Sequence, residues 1–428
     1  MRDGVLSLFE QGLGSCANQM ISILVARNIA PDGYGAFTLA FSILLMAGVL
    51  YYALIVEPMM VFGSGKYAQC FTEYLTLLSY GHWVVTGSLT TILAAAAAAS
   101  VHLGNRGIAT AFASAAVALP FNTYLSLLRP ACYVRKQVRL AAMGSFLNLT
   151  ISVVGMVVLY WTHTISTFNS FAVIATAAAG ACVFIRVGLM RDELSERYSS
   201  GQHSRSCPTI RGTVRDHLSF GGANLLAALA FLASGQLMPL VLIPMFIGLE
   251  AEAAVGVVAN LFGPLNLMMR SAAVLMLPEV SRQTHLHGLN EKVRRHLYLV
   301  ATGCAAVACL YGAAMVLFGR PIMRGLYRGQ YRHSEALILI FSISYVASSI
   351  EQVLAMGLKA IRKIRTLLFA RGVAALISPL LAIPALLVGN VPLVIGAFAL
   401  GYVIAGAVVA YRMQRENEPE RTFLSVNS

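Results

Sequence analysis

Long apolar runs repeat along nearly the whole chain. Each run extends for about 18–25 residues, the length that an α-helix needs to cross a hydrocarbon core of roughly 30 Å. The runs are too long and too continuous for barrel strands, which alternate between apolar and polar positions. The sequence therefore predicts an all-α polytopic membrane protein with about 12 transmembrane helices, at 11–29, 34–56, 75–99, 107–128, 140–160, 168–190, 218–243, 253–277, 296–318, 335–358, 367–388 and 392–411.

The polar segments between these runs indicate how the helices are grouped. The longest polar segment, at 191–217, is rich in Ser, Arg and Glu and has six predicted helices on either side. The predicted organisation is an N-terminal six-helix lobe at 1–190, a cytoplasmic linker at 191–217, a C-terminal six-helix lobe at 218–411 and a cytoplasmic tail at 412–428.

The two halves also show weak similarity to each other. Tyr34-Gly35 at the start of the second run corresponds to Val255-Gly256 at the start of the eighth. An even number of helices in each half makes the halves parallel repeats about an axis along the membrane normal. Transporters built in this way place their substrate site between the halves.

Composition and charge narrow the class further. Hydrophobic residues make up 58% of the chain and charged residues 11%, against roughly 25% charged in soluble proteins, which excludes a soluble globular domain. The net charge is +13, and with the N-terminus inside most of the 31 lysines and arginines fall in cytoplasmic loops. The basic excess therefore indicates cytoplasmic N- and C-termini, and does not indicate nucleic-acid binding.

Motifs for catalysis or metal binding are not evident in the sequence. There is no P-loop, no GxSxG and no paired-carboxylate cluster, and His285 and His287 are too few ligands to close a metal site. The seven cysteines form no CxxC pair. We therefore expect neither an enzyme nor a cofactor or metal, and no ATP hydrolysis by the chain itself.

Polar residues inside membrane helices are costly and thus informative. Gln11, Ser15, Asn18 and Ser22 recur in the first helix at spacings of four, three and four residues, so they share one face. This polar stripe could line a water-filled substrate cavity. It could equally be hydrogen-bonded contact between helices.

Few cationic residues lie deep inside the predicted membrane helices. Arg270 lies about eight residues inside the eighth helix, with Asn260 near its face, and could bind an anionic substrate or pair with a carboxylate. Arg129 shares a face of the fourth helix with polar residues, but it is close enough to the inner end to snorkel.

Two carboxylates are candidates for binding a coupling ion. Glu351 lies in the tenth helix about seven residues from its inner end, and Glu57 closes the second helix. Glu351 could bind a proton or cation, or could simply pair with Arg270 or Lys359.

Four arginines lie on the predicted outer side, against the charge rule. Arg320, Arg324, Arg328 and Arg332 follow one another at intervals of four, although Pro321 and nearby glycines make a regular helix doubtful. The segment could contact lipid head groups. Alternatively, it could be an outer docking site for a phosphate-bearing lipid, since arginine is a multidentate phosphate donor.

The stretch at 25–37 reads VARNIAPDGYGAF and directly follows a polar first helix. It resembles the bacterial polysaccharide (O-antigen and exopolysaccharide) flippases of the multidrug/oligosaccharidyl-lipid/polysaccharide (MOP) exporter superfamily. The stretches at 326–331, 355–359 and 396–399 are also similar to this family. The resemblance implies a bacterial inner-membrane protein with a MOP-exporter-like fold of two six-helix lobes. These lobes would rock to expose a central cavity to either leaflet in turn. It also implies a substrate, the oligosaccharide repeat unit on undecaprenyl pyrophosphate, and cavity cations that fit the pyrophosphate.

The leading hypothesis is a flippase for lipid-linked oligosaccharide, working with membrane lipids and with a possible polysaccharide polymerase or export complex. A cation-coupled small-molecule or multidrug antiporter is the alternative, and it predicts dependence on Glu351 or Glu57. A membrane polysaccharide polymerase or ligase is a third hypothesis, but the longest predicted outer loop, at 319–334, is short for one.

Overall fold

The computed structural model describes residues 2–200, 209–235, 237–266, 268–269, 291–331, 335–360 and 364–415. Within these ranges the chain forms helices joined by short turns, and no strand. The helices are α1 (Arg2–Asn28), α2 (Pro31–Tyr51), a π-helix (Tyr52–Val56), α3 (Glu57–Ser64), a short 3₁₀ helix (Ala68–Cys70), α4 (Phe71–His102), α5 (Arg106–Val134), α6 (Val138–Trp161), α7 (Thr167–Ser200), α8 (Ile210–Ser234), α9 (Pro239–Phe246), α10 (Leu249–Leu261), α11 (Glu291–Tyr327), α12 (Glu335–Ala360), α13 (Ile364–Leu387) and α14 (Val391–Arg415).

Nine helices among the described residues are long and apolar enough to cross a membrane, with Pro31–Ser64 counted as one. A tenth is added if the two parts of α8, which meet at 42°, form a single span. Each of the 12 predicted runs overlaps a helix of the structure, and the all-α prediction is confirmed. The α1 helix is not among the nine, because polar and charged residues recur along it.

Two predicted non-helical segments turn out to be largely helical. The α7 helix continues through the first part of the predicted linker to Ser200, and α8 already begins at Ile210. On the predicted outer side, α11 continues through Pro321 to Tyr327, although the sequence made a regular helix doubtful there. Polar composition was a poor guide to these helix ends, because a helix that leaves the membrane can keep its backbone hydrogen bonds.

Short turns between antiparallel helices use the same residue pair twice. Gly104 and Gly389 adopt φ values of +77° and +74° after α4 and α13, a conformation that favours glycine. The next residue, Asn105 or Asn390, accepts a hydrogen bond from the backbone N–H three residues on, in each case at 3.1 Å. Each pair therefore ends one helix and caps the next.

The chain divides into two compact units. The first consists of Met1–Leu229, Leu240–Asn260 and Arg324–Tyr331. Within it α5 packs against α2, α4 and α7, because small residues such as Ala111, Ala115 and Ala118 allow close approach. The predicted lobe boundaries stay a prediction.

The second unit consists of Ala230–Pro239, Leu261–Met323 and Arg332–Ser428. In this unit α14 packs against both α12 and α13. Its core contains buried aliphatic side chains of four helices, among them Leu297, Leu358, Leu367 and Val409.

Within the first unit, α2 and α10 approach closely through two glycines. A Cβ at Gly35 would collide with the backbone carbonyl of Leu249, and a Cβ at Gly256 would lie 2.5 Å from Thr38 Oγ1. Only residues without a Cβ allow the two backbones to come this near. Gly35 and Gly256 are the two glycines that the sequence comparison of the halves placed at corresponding positions.

Candidate functional site

A hydrogen-bonded cluster joins α1, α2 and α10, and we name it the Asn260 cluster. Asn260 Nδ2 donates to Ser22 Oγ at 2.5 Å and to Tyr34 OH at 2.7 Å. The Ser22 and Tyr34 hydroxyl oxygens are 2.8 Å apart, so one donates to the other. Gln19 Nε2 donates to the Asn260 backbone carbonyl at 2.5 Å. Four polar side chains thus hold three helices together.

This cluster divides the predicted polar stripe of the first helix. Ser22 is buried in contact with Asn260, as expected of a hydrogen bond between helices. Asn18 is exposed and Ser15 is half-buried, so these two side chains are open to an occupant or to solvent. The side chain of Gln11 lies outside the described residues.

Tyrosines from the end of α11 pack against the Asn260 cluster. The rings of Tyr34 and Tyr331 have centroids 6.1 Å apart, and those of Tyr327 and Tyr331 are 5.9 Å apart. Tyr327 is fully buried. These rings exclude water from the hydrogen bonds beside them, and a buried hydrogen bond is stronger for that reason.

Glu252, near the start of α10, was not among the residues singled out from the sequence. It is 0% exposed, and both carboxylate oxygens lack a hydrogen-bond partner among the described residues. Together with Leu249, Gly256 and Asn260 it occurs at spacings of three and four residues, which places all four on one face of α10.

A second polar junction surrounds the π-helix that follows α2. Pro58 has no N–H and so cannot donate to the carbonyl of Leu54, four residues earlier. His217 of α8 lies with Nδ1 3.3 Å from that carbonyl oxygen, and its Nε2 is 2.6 Å from Tyr74 OH. Because a carbonyl can only accept, His217 donates from Nδ1 and accepts from Tyr74 at Nε2.

Further polar contacts extend from this junction to the loop after α3. Lys66 Nζ and Tyr67 OH both donate to Asp216 Oδ2, each at 2.6 Å. The hydrogen bond to Asp216 raises the pKa of Lys66. Since Lys66 is exposed, this ion pair is screened and contributes little to stability.

Glu57 at the start of α3, one of the two predicted coupling carboxylates, is held in a hydrogen bond. Asn224 of α8 donates from Nδ2 to Glu57 Oε2 at 2.9 Å. The Glu57 side chain is half-buried. A polar residue of the seventh predicted helix thus orients this carboxylate.

Glu351, the other coupling candidate, forms a buried ion pair in the second unit. Arg371 Nε donates to Oε1 at 2.9 Å and Nη2 to Oε2 at 3.3 Å. The guanidinium carbon also lies 4.8 Å from the ring centroid of Phe231. Among the described residues the partner is therefore Arg371, which the sequence did not suggest, whereas Arg270 and the side chain of Lys359 lie outside the described residues.

The predicted cationic candidates have different environments. Arg129 is half-buried five residues before the end of α5. Arg320 and Arg324 are exposed one helical turn apart near the end of α11, and Arg328 is exposed just after it. Arg270 and Arg332 lie outside the described residues.

Sequence reasoning missed three groups that the structure makes prominent. Arg371 lies within the first two turns of its helix, where an arginine side chain can extend to the membrane interface, so it did not stand out as a deep cation. Glu252 stands at the edge of an apolar run, where a carboxylate usually caps a helix. His217 lay within the predicted linker, and only the proline four residues after Leu54 hinted at an unpaired carbonyl.

No protein-family model matches the chain, and no curated protein matches it. Solved structures do match it. One is a multidrug resistance MATE family transporter of the MOP superfamily in an inward-facing conformation, with a TM-score of 0.73 and 12% identity, covering 97% of this chain and 100% of the other. Another is the lipid II flippase MurJ in an inward closed conformation, with a TM-score of 0.71 and 12% identity, covering 96% of this chain and 87% of the other.

A third similar structure is a MOP superfamily transporter from Pyrococcus furiosus, for which a reverse polarity of the binding pocket suggests a different function. It has a TM-score of 0.62 and 13% identity, covering 97% of this chain and 95% of the other. These likenesses show that the chain shares its fold with these MOP superfamily transporters. The nine long apolar helices among the described residues are those of a multi-pass membrane protein.

Proposed function

We propose that the protein flips undecaprenyl-pyrophosphate-linked oligosaccharide repeat units from the cytoplasmic to the periplasmic leaflet, for assembly of a surface polysaccharide. The observation that carries the proposal is the whole-chain likeness to a lipid II flippase. The resemblance of the 25–37 stretch to polysaccharide flippases supports it. This stretch includes Tyr34 of the Asn260 cluster and Gly35 of the α2–α10 crossing.

In this proposal the protein works by alternating access in the bacterial inner membrane, with both termini cytoplasmic. Arg270 binds the pyrophosphate, and Asn18, Ser15, Gln11 and Arg129 line the substrate path. Ser22 and Asn260 act mainly by positioning helices, since their polar atoms bond to each other.

The outer arginines are the proposed docking site for the phosphate-bearing lipid. The exposure of Arg320, Arg324 and Arg328 supports this role, because all three side chains can reach a head group. A polysaccharide polymerase or export complex is the proposed consumer of the flipped unit.

The test is to delete the gene and locate the lipid-linked oligosaccharide. We expect complete repeat units to accumulate on the cytoplasmic face, with polymer lost and restored by complementation. Complete units on the outer face that stay unpolymerised would instead point to a polymerase or ligase. Normal glycan in the deletion strain would contradict the flippase proposal.

A cation-coupled small-molecule antiporter is the second candidate, favoured by the likeness to a multidrug resistance MATE transporter. The two functions differ in substrate and not in fold. Uptake of small cationic compounds into proteoliposomes, driven by an ion gradient and unaffected by lipid-linked oligosaccharide, would favour the antiporter. The enzyme hypothesis is weaker, since α11 continues to Tyr327 and converts most of the predicted outer loop into helix.

A further inference from the structure

Glu252 is a carboxylate enclosed on all sides within the first unit. Its side chain is fully buried, and neither carboxylate oxygen accepts a hydrogen bond from any described residue. It stands in the first turn of α10, where a carboxylate often caps a helix, yet it accepts none of the free backbone N–H groups there. Capping therefore does not explain its presence.

No positive charge among the described residues compensates Glu252. At the end of the first unit where α10 begins, the charged side chains of the neighbouring elements are Arg27 of α1, Asp32 of α2, Arg106 of α5, Glu250 of α10, and Arg324 and Arg328 at and just after the end of α11. None of these forms an ion pair or hydrogen bond with Glu252. An isolated ionised carboxylate is strongly disfavoured in such a site, so the buried group carries a proton.

The crossing of α2 and α10 lies on either side of Glu252 along α10. Leu249 touches Gly35 three residues before Glu252, and Gly256 touches Thr38 four residues after it. Glu252 lies on the same face of α10 as both contacts, so it faces α2 between them. Because Glu252 is fully buried beside this crossing, separation of the two helices would open it to water.

We propose that Glu252 is a proton-binding site whose occupancy is linked to the α2–α10 contact. The carboxyl group keeps its O–H bond while the helices touch, and it gives the proton to water when they part. The separated state then binds one proton fewer, so a rise in pH favours separation. A role for this proton in driving transport rests on the proposed function. The linkage between proton binding and the α2–α10 contact does not.

The test is the pH dependence of thiol labelling at the crossing. Thr38→Cys places a buried thiol against Gly256, in a background in which the seven native cysteines are replaced by alanine. N-ethylmaleimide labels this thiol in proteoliposomes between pH 6 and pH 8. A second protein carries Leu103→Cys at a position that is 84% exposed, and it corrects for the intrinsic reactivity of thiols.

We expect the corrected labelling rate of the Thr38→Cys protein to rise with pH, by up to about tenfold per pH unit for a one-proton site. Glu252→Gln, a neutral side chain of the same shape, should keep the rate low at every pH. Glu250→Gln, two residues away and exposed, should behave as the parent. If Glu252→Gln does not fold, Glu252→Met serves as the neutral variant.

Two results would overturn the proposal. One is a pH-dependent rate that persists in the neutral variants, which assigns the titration to another group. The other is a rate that follows sodium concentration at fixed pH, which assigns the site to a metal cation. Labelling needs no substrate, and glycan export is measured separately in the complemented deletion strain. If labelling depends on pH but the protein has no effect on glycan export, only the proposed function is contradicted.

Discussion

Glu351 and Arg371 neutralise each other inside the second unit, and this limits the roles that either can have. The guanidinium binds the carboxylate through two nitrogens and also stacks on Phe231. Both carboxylate oxygens are engaged in this pair, so they are not free to bind a coupling cation while Arg371 is present. Its first role is structural.

Breaking this pair should therefore cost stability before it affects coupling. Arg371→Met leaves a buried carboxylate uncompensated, and we expect a loss of about 3–5 kcal/mol in the free energy of unfolding. The double variant Glu351→Gln, Arg371→Met should recover most of that loss. Unfolding of the detergent-solubilised protein measures both. Equal destabilisation in the single and double variants would contradict the structural role.

The two parts of the polar stripe on α1 should respond differently to substitution. Asn260→Ala removes the amide that binds Ser22 and Tyr34, and we expect a loss of about 1 kcal/mol in stability. Asn18→Ala removes an exposed amide, so stability should stay unchanged while export of the repeat unit falls. Unfolding in detergent and complementation of the deletion strain separate the two effects. Normal export with Asn18→Ala would remove Asn18 from the proposed substrate path.

Among whole elements, the segment from α2 to α3 is unusual because a π-helix and a proline interrupt one membrane span. Such interruptions leave backbone carbonyls without an intrahelical partner, and they are frequent at functional sites. Here the carbonyl of Leu54 is satisfied by His217 of α8 instead. The interruption thus ties two helices together where an unbroken helix would have no need of a partner.

This compensation predicts a coupling between Pro58 and His217. His217→Ala should destabilise the protein by about 1–3 kcal/mol, because it removes the imidazole that bonds to both the Leu54 carbonyl and Tyr74 OH. In a Pro58→Ala background the restored N–H can bond to Leu54, so the same histidine substitution should cost less. A double-mutant cycle from unfolding in detergent gives the interaction energy. Strictly additive effects would mean that His217 stabilises only through Tyr74.

For the whole molecule, the sequence was sufficient for the helical class and the approximate helix count. Hydrophobic run length determines both, and it depends only on local composition. Pairings such as Glu351 with Arg371 could not be predicted, because they join residues 20 positions apart on different helices. The burial of Glu252 could not be predicted either, since it depends on the crossing of two helices that are far apart in sequence.

The substrate class is a property of the whole molecule, and the outer arginines offer a way to test it. Replacing Arg320, Arg324, Arg328 and Arg332 by Gln should slow export of lipid-linked oligosaccharide, because guanidinium groups, of which the first three are exposed, no longer bind phosphate. The matched control replaces the same four residues by Lys, which keeps the charge but loses the bidentate geometry. If the segment docks a phosphate-bearing substrate, the Lys variant should be intermediate. If it only contacts lipid head groups, the Lys variant should equal the parent, and unchanged export by the Gln variant at equal protein abundance would contradict any role in docking.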